Sequence, residues 1–358
     1  MEEEESHFLG DWVVDDGAPS RRRACIPYTF ATATTRWIRR WAMSSIGMYG
    51  TEETLLVIIV DLLPRTVVSI LDQLKIFMEA HVLLRPFNKI LLVTTCGEES
   101  RFLYPTSGDK LKRTYGKGDM VEAIMNLKDH ILRTNCKKNG SLGAALTLGI
   151  CFVNRWLSKK TEDESMHSIA EDGQRARILI LTESMKGNHV ELDPKAKDYR
   201  AVMNCAFSAE KMNVLIDCFD VTPWSPTLSL SQMSKMQQVC YISKGLHWSS
   251  AMDKMQKKEL GQDEKDNNSD SITSYFLPTL IFYFLPGRES RKGLRQPPRA
   301  SVSLNASCFE TGVSVEKGYL CSICLSVTST KRKSCITCHS MFENDKRRRR
   351  KQEETCKR

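Results

Sequence analysis

Four cysteines near the C-terminus carry the strongest chemical signal in the sequence: Cys321 and Cys324, then Cys335 and Cys338. Each Cys-x-x-Cys turn aims two thiolates at one point, and two such turns complete a tetrahedron. Zinc takes four thiolates at about 2.3 Å in closed structural sites. Ten residues separate the pairs, enough for a hairpin or loop. The spacing predicts one structural Zn2+ held by Cys321, Cys324, Cys335 and Cys338. A redox pair or chance clustering is the plainer alternative, and two matched pairs this close disfavour it. His339 adjoins Cys338 and is an alternative ligand, although a neighbouring surface histidine is the commoner case.

A ubiquitin-ligase module of the RING type needs a second full zinc site. Beyond the four thiols the segment offers only Cys308, His339 and the distant Cys356. The ligand supply therefore disfavours that reading. Catalytic sets are missing elsewhere too. No Gly-x-Ser-x-Gly, phosphate loop or dinucleotide glycine fingerprint occurs. Seven histidines lie scattered without ligand spacing. Gly116-x-Gly118 has no strand leading into it. Carboxylates gather in polar stretches, where solvated charge explains them. The chain is not expected to be an enzyme.

The elements that position these residues alternate. Leu55 to Val60 is an unbroken apolar run ending at Asp61, the signature of a strand buried on both faces. Val67, Ile70, Leu71, Leu74, Met78 and Val82 follow helical spacing. Strands are expected at Lys89 to Thr95, Arg101 to Pro105, Arg177 to Thr182 and Val214 to Val221. Helices are expected at Met120 to Leu132, Leu142 to Leu157, Pro194 toward Met212, around Ser231 to Val239, and at Ser274 to Leu285. Strands alternating with helices predict an α/β fold, a mostly parallel sheet covered on both faces. The division reads as an extension over 1–50, the α/β domain over 51–286, a linker over 287–307, the zinc module over 308–343 and a basic tail over 344–358. Polar insertions near 159–175 and 253–274 are expected to be mobile.

Composition sets the frame. A chain of 358 residues suits about two domains plus tails. The net charge of +9 is uneven. Four Glu follow Met1, and Lys346 to Lys351 is an unbroken basic run. That run serves as a nuclear address, a nucleic-acid contact or merely a solubilising end. Many of the thirteen cysteines are scattered, several within apolar runs, which suits a reducing compartment. The acidic start is unlike a signal peptide. The longest apolar run, Phe276 to Pro286, is far shorter than the roughly 20 residues of a membrane span. An intracellular, soluble protein is expected.

Asp61 stands at the C-terminal end of the first strand, where open α/β sheets bind ligands. This layout resembles a von Willebrand factor A domain, in which an Asp-x-Ser-x-Ser motif, a threonine and a second aspartate hold Mg2+. Here Leu62, Leu63, Pro64 and Arg65 follow Asp61, so both serines are missing and Arg65 repels a cation. Ser141 is near the threonine position and Glu183 is the nearest counterpart of the later acid. Mg2+ is not expected, and Asp61 reads as a polar strand end.

The order of parts resembles the family of the smaller von Willebrand A-containing subunit of general transcription factor TFIIH. The specific stretches are Glu99-Ser100-Arg101-Phe102-Leu103-Tyr104-Pro105 and Gly318-Tyr319-Leu320-Cys321-Ser322-Ile323-Cys324-Leu325-Ser326. Supporting stretches are Leu56 to Asp61 with Pro64, Asn213 to Asp217, Gly245-Leu246 and Phe284-Leu285-Pro286. The family's Cys-Phe-Cys-His stretch reads Cys308-Phe309-Glu310-Thr311 here, a departure that puts any second metal site in question. The N-terminal extension and the stretch 253–274 also differ. The resemblance implies a nuclear scaffold subunit of the TFIIH core complex without catalytic activity. It implies action in RNA polymerase II transcription initiation and nucleotide excision DNA repair. It implies pairing with the larger von Willebrand A-containing subunit, with the zinc module of each partner at the interface. DNA is then an indirect partner, with no membrane and no small-molecule substrate. The alternatives are a zinc-module ubiquitin ligase and a direct nucleic-acid-binding protein.

Overall fold

The computed structural model describes residues 54–342, apart from 85–87, 97–98, 106–116, 135–140, 164–174, 184–193, 223–229, 252–271, 295, 298–304, 312–313 and 325. The N-terminal extension, the basic tail and most of both polar insertions lie outside the described residues.

The first strand, β1 (Leu55–Asp61), is buried along its whole length. It leads into helix α1 (Pro64–Leu84), which proline opens at a position where a missing N–H costs nothing. Strand β2 (Lys89–Cys96) turns back as β3 (Glu99–Tyr104). Helices α2 (Lys117–Thr134) and α3 (Leu142–Asp163) follow. Then come β4 (Ala176–Thr182), α4 (Pro194–Lys211), β5 (Leu215–Asp220), α5 (Leu230–Ile242) and the short β6 (His247–Ser249). Helix α6 (Ile272–Thr279) contains Pro278, which lacks an N–H, and passes into a widened turn at Leu280–Phe284.

The six strands run in the order β3-β2-β1-β4-β5-β6. All neighbours are parallel except β2 and β3. This is a doubly wound arrangement, and it matches the von Willebrand A-like expectation. The alternation of β1 builds both layers. Leu56, Ile58 and Val60 face α1, α2 and α6. Leu55, Val57 and Ile59 face α3, α4 and α5. Each such side chain contributes about 1.5–3 kcal/mol when fully buried, so β1 is the keel of both cores. The expected α3 stripe is observed: Leu142, Ala145, Leu146, Ile150, Val153 and Leu157 are all buried on the sheet. Phe219 of β5 lies 4.9 Å from Trp248, 5.3 Å from Phe276 and 5.6 Å from Phe284, ring to ring, and so holds α6 against the sheet.

The loop from α5 to β6 is tight. Gly245 is required there, because a Cβ would sit 1.9 Å from the Ile216 carbonyl oxygen. Lys244 before it takes the left-handed conformation, with φ 61°. The next residue, Leu246, donates its N–H to Asp217 Oδ1 at 2.8 Å. Asp217 is fully buried in β5. The guanidinium of Arg291 grips it with two bonds, Nη1 to Oδ1 at 2.8 Å and Nη2 to Oδ2 at 2.5 Å. Arg291 lies on a five-residue helix, α7 (Arg288–Lys292), within the stretch the sequence reads as linker. Arg177 of β4 completes the cluster, 3.9 Å from Asp217, and donates to the Pro286 carbonyl at 2.7 Å. Burial raises the Asp217 carboxyl, but the two guanidiniums prevail and its pKa lies below the ordinary value.

The C-terminal module is built from short pairs. β7 (Ala306–Ser307) pairs with β8 (Ser314–Val315), and β9 (Tyr319–Leu320) with β10 (Val327–Thr328). With so few strand bonds and so little apolar area, such a unit needs a further staple.

Candidate metal centre

The four expected cysteines lie together where such a staple could sit. Their sulfur atoms all lie within 4.8 Å of one another. Cys321 Sγ is 3.7 Å from Cys338 Sγ, and Cys324 Sγ is 3.5 Å from Cys335 Sγ. A tetrahedral zinc site with bonds of about 2.3 Å has sulfur–sulfur edges of about 3.8 Å. The donor set and its spacing thus fit a four-coordinate thiolate site. Among the described residues this is the sole group of three or more Cys, His, Asp or Glu gathered closely enough to hold a metal ion. Neither His339 nor Cys308 joins it.

The local chain explains the convergence. The two turns share a pattern, Cys321-x-x-Cys324-x-Ser326 and Cys335-x-x-Cys338-x-Ser340. In each, the first cysteine N–H donates to the serine carbonyl, at 2.9 and 2.8 Å. Each serine hydroxyl then reaches across to the other turn. Ser326 Oγ lies 3.2 Å from Cys324 Sγ and 3.1 Å from Cys335 Sγ. Ser340 Oγ lies 3.0 Å from Cys338 Sγ and 3.5 Å from Cys321 Sγ. Hydrogen bonds to a thiolate favour the charged form. Burial works against Cys335, yet the Ser326 hydroxyl and the N–H groups of Cys338 and Thr337 bring its pKa down to about 5. Cys321 is lowered by the Cys324 N–H and the Ser340 hydroxyl. Cys324 is raised, by burial first. Hydrogen bonding thus favours the thiolate at Cys321 and Cys335, the direction that metal binding needs.

Cys308 sits apart, 3.6 Å from the Ser329 hydroxyl. Burial raises its thiol, but the Thr311 hydroxyl and the N–H groups of Thr311 and Glu310 lower it to about 7. Glu310, two residues on, is ion-paired with Arg332.

The C-terminal edge of the large sheet holds carboxylates instead of thiols. Asp61 Oδ2 accepts from the Thr182 hydroxyl at 3.2 Å, while Oδ1 is buried without a hydrogen-bond partner. Burial pushes Asp61 up to about 7, and Asp198 and Glu183 add to the rise. Glu183 Oε2 accepts the Leu63 N–H at 3.3 Å. Asp220, which the sequence does not single out, is bound by both the N–H and the hydroxyl of Thr222. Ser141 is used up as a helix cap: its hydroxyl donates to Asp198 Oδ1 at 2.7 Å and accepts the Ala144 N–H at 3.1 Å. Each acid has one oxygen engaged by threonine or backbone, and among the described residues these acids form no close metal-binding group.

The model of the transcription factor Tfb4 family matches residues 53–339, which include both the sheet and the cysteine cluster. The chain belongs to this family. Curated Tfb4 relatives agree over most of its length. General transcription factor IIH subunit 3 of Dictyostelium discoideum is 26% identical, covering 76% of this chain and 67% of its own. The general transcription and DNA repair factor IIH subunit tfb4 of Schizosaccharomyces pombe is 24% identical, covering 81% and 89%. The crystal structure of the TFIIH p34 N-terminal domain aligns at 17% identity and a TM-score of 0.39, covering 58% of this chain and 97% of that one. Ser326 and Ser340 escape a search for metal ligands, although the repeated Cys-x-x-Cys-x-Ser pattern marks them in this Tfb4-family sequence.

Proposed function

We propose that this chain is a non-catalytic scaffold subunit of the TFIIH core complex, acting through protein–protein contacts in RNA polymerase II transcription initiation and nucleotide excision repair. The Tfb4 family match across residues 53–339 carries this reading. The division into a von Willebrand A-like domain at 51–286 and a zinc module at 308–343 belongs to it. So does one structural Zn2+ per chain, held by Cys321, Cys324, Cys335 and Cys338. Zinc held by four thiolates has no open position for a substrate, so it shapes a surface rather than performing chemistry. Close to the cysteines in sequence, the apolar side chains Tyr319, Leu320, Ile323 and Met341 are all more than half exposed. The chain's chief partner on this reading is the larger von Willebrand A-containing subunit, in the nucleus, with DNA reached only through neighbouring subunits.

A tagged chain recovered from nuclear extract is expected to bring down the other TFIIH subunits, identified by mass spectrometry. Recovery of none of them overturns the proposal. Metal analysis of the purified chain is expected to give one zinc, and a count of zero or two overturns the assigned site.

A further inference from the structure

The zinc module does not hang from the sheet domain by its linker alone. It rests on α4 and α5 through a compact set of contacts. Gln238 of α5, almost fully buried, donates from Nε2 to the Asn305 carbonyl at 3.1 Å and accepts the Tyr199 hydroxyl at 3.2 Å. Tyr199 of α4 meets Phe309 edge-on, with ring centres 5.9 Å apart. Lys235 lies 5.7 Å over the Tyr199 ring. Arg200, the next residue on α4, does two things. Its guanidinium lies 6.0 Å over the Phe309 ring, and Nη1 donates to the carbonyl oxygen of Cys324 at 3.4 Å. Phe309 is itself tied into the module, its N–H donating to the Val327 carbonyl at 2.8 Å.

The Cys324 carbonyl belongs to the first cysteine turn, so its position depends on the metal cluster being assembled. The same guanidinium also holds Phe309. We propose that Arg200 makes the seat a clasp coupled to the metal: zinc binding at the four cysteines fixes the module on α4, and docking on α4 in turn strengthens zinc binding. This rests on the assignment of the four cysteines as a zinc site. Coupling of this kind is reciprocal by thermodynamic necessity. A residue of the sheet domain, outside the cysteine cluster, thereby sets part of the metal affinity. An independently folded module on a loose tether would have no such dependence.

The test uses the full chain and three variants, Arg200→Ala, Arg200→Lys and Tyr199→Phe. Zinc affinity is measured by competition with a chromogenic chelator, and backbone hydrogen exchange is followed at 305–311. Amides of β1 and β4 report whether the sheet domain remains folded. Loss of one charge-assisted hydrogen bond and one cation–π contact corresponds to about tenfold. Arg200→Ala is therefore expected to weaken zinc binding by about that factor. With zinc still bound, it is expected to speed exchange at 305–311 to a similar degree. Arg200→Lys, which keeps the charge without the fork, is expected to recover part of both effects. Tyr199→Phe is expected to speed exchange at 305–311 less than Arg200→Ala. Unchanged affinity in Arg200→Ala overturns the coupling, and unchanged exchange overturns the clasp. A wild-type chain that takes up no zinc overturns the metal assignment, and the exchange comparison then still decides whether Arg200 holds the seat.

Discussion

Two regions of this chain bring ionisable groups together, and they end in opposite states. The cysteine module gathers four thiols within 4.8 Å and surrounds them with hydroxyl and N–H donors. The C-terminal edge of the sheet keeps three acids, Asp61, Glu183 and Asp220, each bound to threonine or backbone. Donors around the thiols stabilise negative charge and so prepare it for a cation. Burial around Asp61 opposes negative charge and favours a proton instead. The difference lies in the donors: hydroxyl and N–H groups surround the thiols, while Asp61 keeps one buried oxygen without a hydrogen-bond partner.

The comparison breaks most visibly if the zinc proposed for the four cysteines is removed. Structural zinc in small modules contributes about 10–16 kcal/mol of binding free energy. Chelation is therefore expected to unfold 306–342 while the six-stranded sheet stays folded, seen as loss of amide protection confined to the module. Equal loss in β1 and β4 would contradict the division.

The opposite end of the sheet offers a compensated acid. Asp217→Ala leaves Arg291 and Arg177 buried without their partner, a loss of about 3–5 kcal/mol. Urea unfolding of the sheet domain measures it, and a loss below 1 kcal/mol (about the worth of a surface pair) would remove the buried-pair account.

Next in size are the serines at the thiols. The double change Ser326→Ala with Ser340→Ala is expected to lower zinc affinity by about 10–100-fold while leaving one metal per chain. Unaltered affinity in chelator competition would mean the hydroxyls are bystanders.

The smallest effect belongs to Asp61. Its native carboxyl keeps a proton up to about pH 7, whereas the unfolded group loses it near 3.8. The folded state thus binds more protons in that window, and stability falls as pH rises through 7. Between about pH 6 and about pH 8 this group alone removes roughly 1.4 kcal/mol, and Glu183, also raised by burial, acts in the same direction. Asp61→Asn is expected to flatten that part of the profile, and millimolar Mg2+ to leave the wild-type melting temperature unmoved. A Mg2+-dependent rise would restore the metal reading of this edge.

Much of this was legible in the residues. Strands β1, β4 and β5 stand out because burial on both faces makes them mostly apolar runs, interrupted by Arg177 in β4 and Asp217 in β5. The α3 stripe appears because one face alone is covered. The four cysteines are legible because spacing within a turn is local. What escaped depends on distance along the chain. Asp61 and Asp217 look alike in sequence, and only the fold places Arg291 against one of them, 74 positions away. The contact of Arg200 with the Cys324 carbonyl spans 124 positions, and an arginine on a polar helix gives no sign of it. β6 has three residues, too few for a period to show.

The grip of Arg291 on Asp217 also decides how the chain would carry load. A pull on the C-terminal part passes through residue 291 into β5, which has β4 on one side and β6 on the other. Load carried by that pair enters the sheet at an interior strand and not at a free margin. Like a strap riveted to the frame instead of the rim, the joint ties the C-terminal part to the middle of the sheet.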